Sequence, residues 1–214
     1  MVQLLRFLER AHMTSLTRLM ATLFCCFGLL LPRLSQAAPS PDSAPVSPER
    51  ADAILTRVGA VPARDNTFHE VRNLVTLTRP LESSGILKWR APDYLEKLTL
   101  SPRREDLVIR GSTVTMMRGT AQPQTLDATR NPALQLLADT LRAPLSGDTA
   151  LLHRYYHIAV SGTEGGLWTL TLSPTTNDVR HFLKQVAIAG TNNAITRLEV
   201  IQANGDHQTM TILP

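Results

Sequence analysis

The chain has 214 residues, 43% hydrophobic and 19% charged, with 22 Lys and Arg against 18 Asp and Glu. That composition belongs to a folded chain and excludes a disordered or collagen-like one. The basic excess sits at the start: Arg6, Arg10, Arg18 and Arg33, with the single acid Glu9, fall in the first 37 positions, which leaves 18 basic against 17 acidic residues beyond them. The remainder is close to neutral and offers no electrostatic case for binding nucleic acid.

Residues 1–37 read as a secretory signal peptide. Thr14 to Arg18 is polar and positive, Leu19 to Leu31 is almost wholly apolar, and Ser35-Gln36-Ala37 places small residues where a signal peptidase needs them, predicting cleavage after Ala37. The apolar run falls short of the ~20 residues of a membrane-spanning helix. Translation starts at Met1 or, given the long leader that Met1 implies, at Met13. Cys25 and Cys26 lie inside the apolar run and leave with it, so the mature chain is expected to have no disulfide or thiol chemistry. Ala38 to Val46, rich in Pro, Ser and Ala, reads as a flexible tether at 38–46, and 47–214 as one domain.

The domain opens with a helix. Ser47 can cap it, Pro48 suits its first position, Ala51, Ile54, Leu55 and Val58 repeat at helical spacing, and Gly59 stops it. From Phe68 the period is two: strands are predicted at Phe68–Thr78, Gly85–Arg90, Leu95–Leu100, Leu107–Arg110 and Thr113–Met117, with Gly111 turning a hairpin and Pro80, Pro92, Pro102 and Pro123 at the boundaries. A second helix follows Asn131-Pro132, with Leu134, Leu137 and Leu141 on one stripe and Gln135, Asp139 and Arg142 facing away; a third runs from about Asp148 to His153. Strands resume at Tyr155–Val160, Leu167–Leu172, Val186–Ala189, Ile195–Gln202 and Gln208–Leu213, the last two joined at Asn204-Gly205-Asp206. About ten strands with three helices make an α+β fold, most simply one strongly curved antiparallel sheet.

No catalytic constellation converges. The chain lacks a cysteine nucleophile in its mature part, a G-x-S-x-G elbow, a glycine-rich phosphate loop and an H-E-x-x-H motif. His153 and His157 would share a helix face as metal ligands, but Tyr155 to Val160 alternates as a strand and no third ligand follows, so surface histidines are expected and no metal or cofactor. Glu70 and Arg72, two apart in a strand, share a face and suggest a structural ion pair or a partner contact. Trp89 and Trp168 read as core aromatics. The candidate site is instead an apolar pocket under the helices, lined by Leu87 and Trp89 on one strand, Leu98 and Leu100 on the next, and Leu134, Leu137 and Leu141 on the helix. A filled core accounts for the same pattern equally well.

The ordered markers resemble the periplasmic outer-membrane lipoprotein carrier family, LolA, in a divergent branch, from about Ser47 to Leu213. They are Phe68-His69-Glu70, the segment Pro80 to Leu87 ahead of Lys88-Trp89-Arg90-Ala91-Pro92, Ile109-Arg110-Gly111-Ser112, Ser146-Gly147-Asp148, Trp168 to Pro174, Ile188-Ala189-Gly190 and Asn204-Gly205-Asp206. The resemblance implies an incomplete, strongly curved antiparallel β-barrel with a helical lid over a hydrophobic cavity. It further implies a monomeric, non-enzymatic periplasmic chaperone that takes lipoprotein acyl chains or another apolar lipid from an inner-membrane exporter to an outer-membrane acceptor. Members of the divergent branch are associated with aryl-polyene-type lipids and RND/MMPL-type exporters, so a carrier or adaptor in such a pathway is the alternative. One position departs from the family pattern: typical carriers have an inward arginine before the strand-ending proline, a latch for the lid, where this chain has Ala91. Arg90 is one residue earlier and alternation turns it to the opposite face from Leu87 and Trp89.

Overall fold

The long alternating stretches pair into a single sheet. A computed structural model describes residues 48–163 and 165–213; the predicted leader, the tether and the Ser47 cap lie outside the described residues. In chain order the elements are α1 (Pro48–Gly59), β1 (Ala63–Asn73), β2 (Leu81–Arg90), β3 (Tyr94–Ser101), β4 (Glu105–Arg110), β5 (Thr113–Arg118) and β6 (Gln124–Asp127). After a 3-10 turn come α2 (Pro132–Ser146), α3 (Thr149–Tyr155), β7 (Tyr156–Gly162), β8 (Leu167–Pro174), α4 (Asn177–Arg180), β9 (Leu183–Thr191), β10 (Ala194–Gln202) and β11 (His207–Leu213).

The sheet has 11 strands in the order β6-β5-β4-β3-β2-β1-β11-β10-β9-β8-β7. Sequential strands are neighbours except β6 and β7, and the one non-sequential contact pairs β1 with β11, setting Phe68 opposite Ile212 and Glu70 opposite Met210. β6 and β7 remain as free edges, so the sheet curls into an incomplete barrel without closing. This is the α+β, curved and open antiparallel architecture expected from the sequence.

Several expectations about the elements change: a short fourth helix, α4, is added, and β9 begins at Leu183 rather than Val186. β1 begins at Ala63 rather than Phe68, because the polar stretch Ala63 to Thr67 still pairs with Arg90 to Ile86, and it ends at Asn73 rather than Thr78. The eleventh strand, β6, is exposed at all four residues, so it carries no inside-outside alternation to read.

Helix caps follow the expected chemistry. Leu134 N–H donates to Asn131 Oδ1 at 3.2 Å at the start of α2, and Leu151 N–H donates to Asp148 Oδ1 at 2.9 Å at the start of α3. Between those helices Gly147 holds φ at +69°, and a Cβ on Gly59 would fall 2.5 Å from the Gly147 nitrogen. Glycine at both places lets the end of α1 touch the α2–α3 turn.

The helices pack on the C-terminal strands. Ile54, Leu55 and Val58 of α1, Leu136 and Ala143 of α2 and Leu152 of α3 join Tyr156, Trp168, Leu170 and Ile188 in one buried apolar cluster. Trp168 adds a hydrogen bond from Nε1 to the Asn192 carbonyl at 2.9 Å, which satisfies its buried donor.

Candidate functional site

The register decides which residues face inward. In β2 the residues paired with Phe68 and Arg64 are Gly85 and Trp89, and across the β2–β3 ladder Trp89 meets Leu95 while Leu87 meets Lys97. Continuing outward, Leu95 pairs with Ile109 and Ile109 with Val114, so one row of apolar residues crosses the concave face of the N-terminal strands. Trp89, Ile109 and Val114 are buried on that face, and Leu87 is half-buried.

Leu87 and Trp89 share one face of β2, but Leu98 and Leu100 do not join them there. Leu98 pairs with Ile86 and Asp106 on the opposite, convex face, and Leu100 is exposed. The sequence Leu95-Glu96-Lys97-Leu98-Thr99-Leu100 has leucines at both parities, and the larger set was the wrong guide. The pairing of Lys97 with inward Leu87 fixes the outcome.

On α2 the predicted stripe is Leu134, fully buried, with Leu137 and Leu141 half-buried. At 100° per residue these three project from one side of the helix, while Leu136 and Ala143, seven apart, project from nearly the opposite side into the packed cluster. Thr140 goes with the packed side, where its hydroxyl lies 2.7 Å from the Tyr156 hydroxyl. The polar strip between the two sides is tied to itself: Asp139 Oδ1 accepts from Gln135 Nε2 at 2.8 Å and from Arg142 at 3.0 Å. α2 is thus apolar on two sides, and the packed cluster uses one of them.

The inward face also carries a buried polar network that the sequence reading located only in part. Glu70, 1% exposed, accepts at Oε1 from Lys97 Nζ at 2.6 Å and from Gln208 Nε2 at 2.6 Å, and at Oε2 from the Ser83 hydroxyl at 2.9 Å. Arg72 Nε lies 3.7 Å from Oε2, which makes the expected Glu70–Arg72 pair the longer contact of the group. Burial pushes the Glu70 carboxyl upward, but the Lys97 charge and the hydrogen bonds from Lys97 and Ser83 outweigh it, leaving the pKa below the ordinary glutamate value. The signal for Lys97 was available: Glu70 shares its face with Phe68, and a carboxylate pointing inward requires a cation or several donors beside it.

Arg64 and Trp89 are cross-strand partners at the other end of the same face. The Arg64 guanidinium donates to the Val58 carbonyl in the last turn of α1 at 2.8 Å and to the Asn193 carbonyl at 2.6 Å. It ties the helix end to the sheet, a link that Ala91 cannot make. Arg90 points outward, as alternation requires, and pairs with Asp65 at 2.7 Å. Beside it Tyr94 donates to Glu96 at 2.6 Å, and that bond, with burial, pushes the phenol up to about 12.

The two histidines separate. His153 is on α3, 2.8 Å from Asp52, and His157 is on β7. Among the described residues no three metal-ligating side chains come together.

No curated protein matches the chain. Among solved structures it is similar to a LolA superfamily protein of Nitrosomonas europaea, with 10% identity over 77% of this chain and 91% of that one and a TM-score of 0.39. It is also similar to the Pseudomonas aeruginosa MucA/MucB complex, with 11% identity over 77% and 54% and a TM-score of 0.37. A DUF1329 family protein from Desulfovibrio piger gives 9% identity over 79% and 92% and a TM-score of 0.31. The model of the family described as outer membrane lipoprotein carrier protein LolA-like matches residues 43–213, and the chain belongs to that family.

Proposed function

We propose that the protein is a periplasmic carrier, exported by a signal peptide cleaved after Ala37, that shields an acyl chain or comparable apolar lipid between α2 and the N-terminal strands. The observation that carries this reading is the second apolar side of α2: Leu134, Leu137 and Leu141 turn away from the packed cluster, and Leu137 and Leu141 keep part of their surface free. On the same face of β2 as buried Trp89, Leu87 is half-buried and adds apolar surface. Such a site suits transport. Each methylene withdrawn from water contributes ~0.8 kcal/mol, so an acyl chain needs cover to cross the periplasm, and a limited apolar surface can hold it while still releasing it. The cargo is a lipoprotein or an aryl-polyene-type lipid, received from an inner-membrane exporter and passed to an outer-membrane acceptor; the carrier itself performs no chemistry.

The near-complete burial of Trp89 and Leu134, each 1% exposed, favours a second reading in which the interior is filled and the protein is an adaptor for the exporter. Extraction of the purified mature domain with organic solvent, followed by mass spectrometry, separates the two. A stoichiometric diacylated peptide means lipoprotein traffic, and a polyene or other lipid means a pathway-specific carrier. An empty protein from which acyl chains displace no apolar fluorescent probe means the adaptor.

A further inference from the structure

The α1 end of the concave face carries two buried donors without an acceptor. Trp89 is 1% exposed, yet its Nε1–H has no hydrogen-bond partner among the described residues, and neither has the buried Nε–H of Arg64. The two residues are cross-strand partners on β1 and β2, so their side chains stand side by side on one face. Folded proteins pair nearly all their buried donors, and an unpaired one is costly.

The fold satisfies comparable groups nearby. Trp168, the other tryptophan of the chain, gives its Nε1–H to the Asn192 carbonyl at 2.9 Å. Arg64 itself gives Nη2 to the Val58 and Asn193 carbonyls at 2.8 and 2.6 Å. Those acceptors are therefore engaged by other atoms. The neighbouring carboxylates are engaged as well: Asp65 and Glu96 face the convex side, where they accept from Arg90 and from Lys88 and Tyr94, and Glu70 is held by Lys97, Ser83 and Gln208.

What adjoins the two donors is apolar. Trp89 pairs with Leu95, Leu95 with Ile109 and Ile109 with Val114, while Leu87 is half-buried on the same face. A plain hydrocarbon laid along this row would bring nothing that accepts a hydrogen bond. A chain that ends in a carbonyl group would.

We propose that Trp89 Nε1–H and Arg64 Nε–H receive the head oxygen of the cargo's chain, a carbonyl or carboxylate oxygen, so that the site prefers chains carrying an acceptor at one end. The inference rests on the carrier reading and deepens it by giving the chain a direction, head at the last turn of α1 and tail along the row toward Val114. The bonds from Nη2 hold the guanidinium in place before cargo arrives, so little freedom is lost when Nε–H finds its acceptor.

Displacement of the neutral probe N-phenyl-1-naphthylamine from the mature protein by hexadecane, methyl palmitate and palmitate tests it. The ester and the acid are expected to act at concentrations about tenfold or more below hexadecane. Palmitate ahead of the ester identifies a carboxylate on the Arg64 charge, and an ester equal or ahead identifies a neutral carbonyl; either supports the proposal. Trp89→Phe keeps an aromatic ring and removes the N–H, so the ratio of ester to hexadecane affinity should fall about fivefold or more. The indole N–H resonances of the wild type give a second readout: methyl palmitate should move the Trp89 signal further downfield than hexadecane does, with Trp168 in place. Should Trp89→Phe fail to fold, that signal decides. Equal displacement by ester and hexadecane, or a Trp89 signal that answers both alike, overturns the proposal and leaves the carrier reading standing. A preference for the ester that survives Trp89→Phe also overturns it, because the oxygen is then held elsewhere. Displacement by none of the three ligands removes the carrier reading and this inference with it.

Discussion

Lys97 on β3 reaches across β2 to Glu70 on β1, with Nζ 2.6 Å from Oε1 and both residues buried. Ser83 on the intervening strand and Gln208 on β11 donate to the same carboxylate, so four strands meet at one charge. Lys97 also lies 4.9 Å from the centre of the Phe68 ring, a cation–π contact on the same face. Removing one partner strands the other. We predict that Lys97→Met costs about 3–5 kcal/mol in urea unfolding, whereas Glu70→Leu with Lys97→Leu recovers most of that loss. A double variant as unstable as the single one would mean that the network specifies the fold beyond its charge balance.

The same pair predicts an acid response. The Glu70 carboxyl titrates below its ordinary value in the folded state, so the unfolded chain takes up the proton first as pH falls. The stability it contributes is complete above the ordinary glutamate range and is lost as pH drops through the depressed folded value. Burial pushes the Lys97 ammonium down, so protonating Glu70 leaves a buried cation without its counter-charge. The urea midpoint of the wild type should therefore fall more steeply with acidification than that of Glu70→Gln. Parallel curves would remove Glu70 from the acid response.

Arg64 yields a more local prediction. Its guanidinium joins the Val58 carbonyl of α1 to the Asn193 carbonyl, and charged hydrogen bonds of this kind contribute about 1.5–3 kcal/mol each. Arg64→Ala is expected to speed hydrogen exchange in the last turn of α1 with little change in the β7–β9 amides. Uniform acceleration across the chain would show that the contact supports global stability and does not hold the helix end in particular.

These residues also show what the sequence could convey. Period-two runs located ten of the strands, and asparagine and aspartate caps located two helices, because those signals are local. The face presented by β3 is not local. Leucines at both parities leave it ambiguous until Leu87 pairs with Lys97, and that register depends on β2 and on the bulge between Ser84 and Gly85. Leu98 and Leu100 were misplaced for that reason, and Lys97 was missed with them. On α2 the stripe of Leu134, Leu137 and Leu141 was legible from spacing alone, but its meaning depends on Leu136 and Ala143 packing on the other side.

The two sides of α2 can be separated by one residue type. Leu137 is half-buried on the side away from the packed cluster, and Leu136 is 9% exposed within it. A carboxylate at 136 must enter a close-packed apolar region, so Leu136→Glu is expected to unfold the domain. A carboxylate at 137 meets cargo when the site is loaded and water when it is empty. We predict that Leu137→Glu keeps the wild-type circular dichroism and urea midpoint to within about 1 kcal/mol, while its affinity for an apolar fluorescent probe falls by about a hundredfold or more. Should Leu137→Glu unfold like Leu136→Glu, both sides of the helix are packed and the adaptor reading gains. If it folds and binds the probe unchanged, the apolar chain lies elsewhere on the concave face, and Leu87 and Trp89 become the residues to vary.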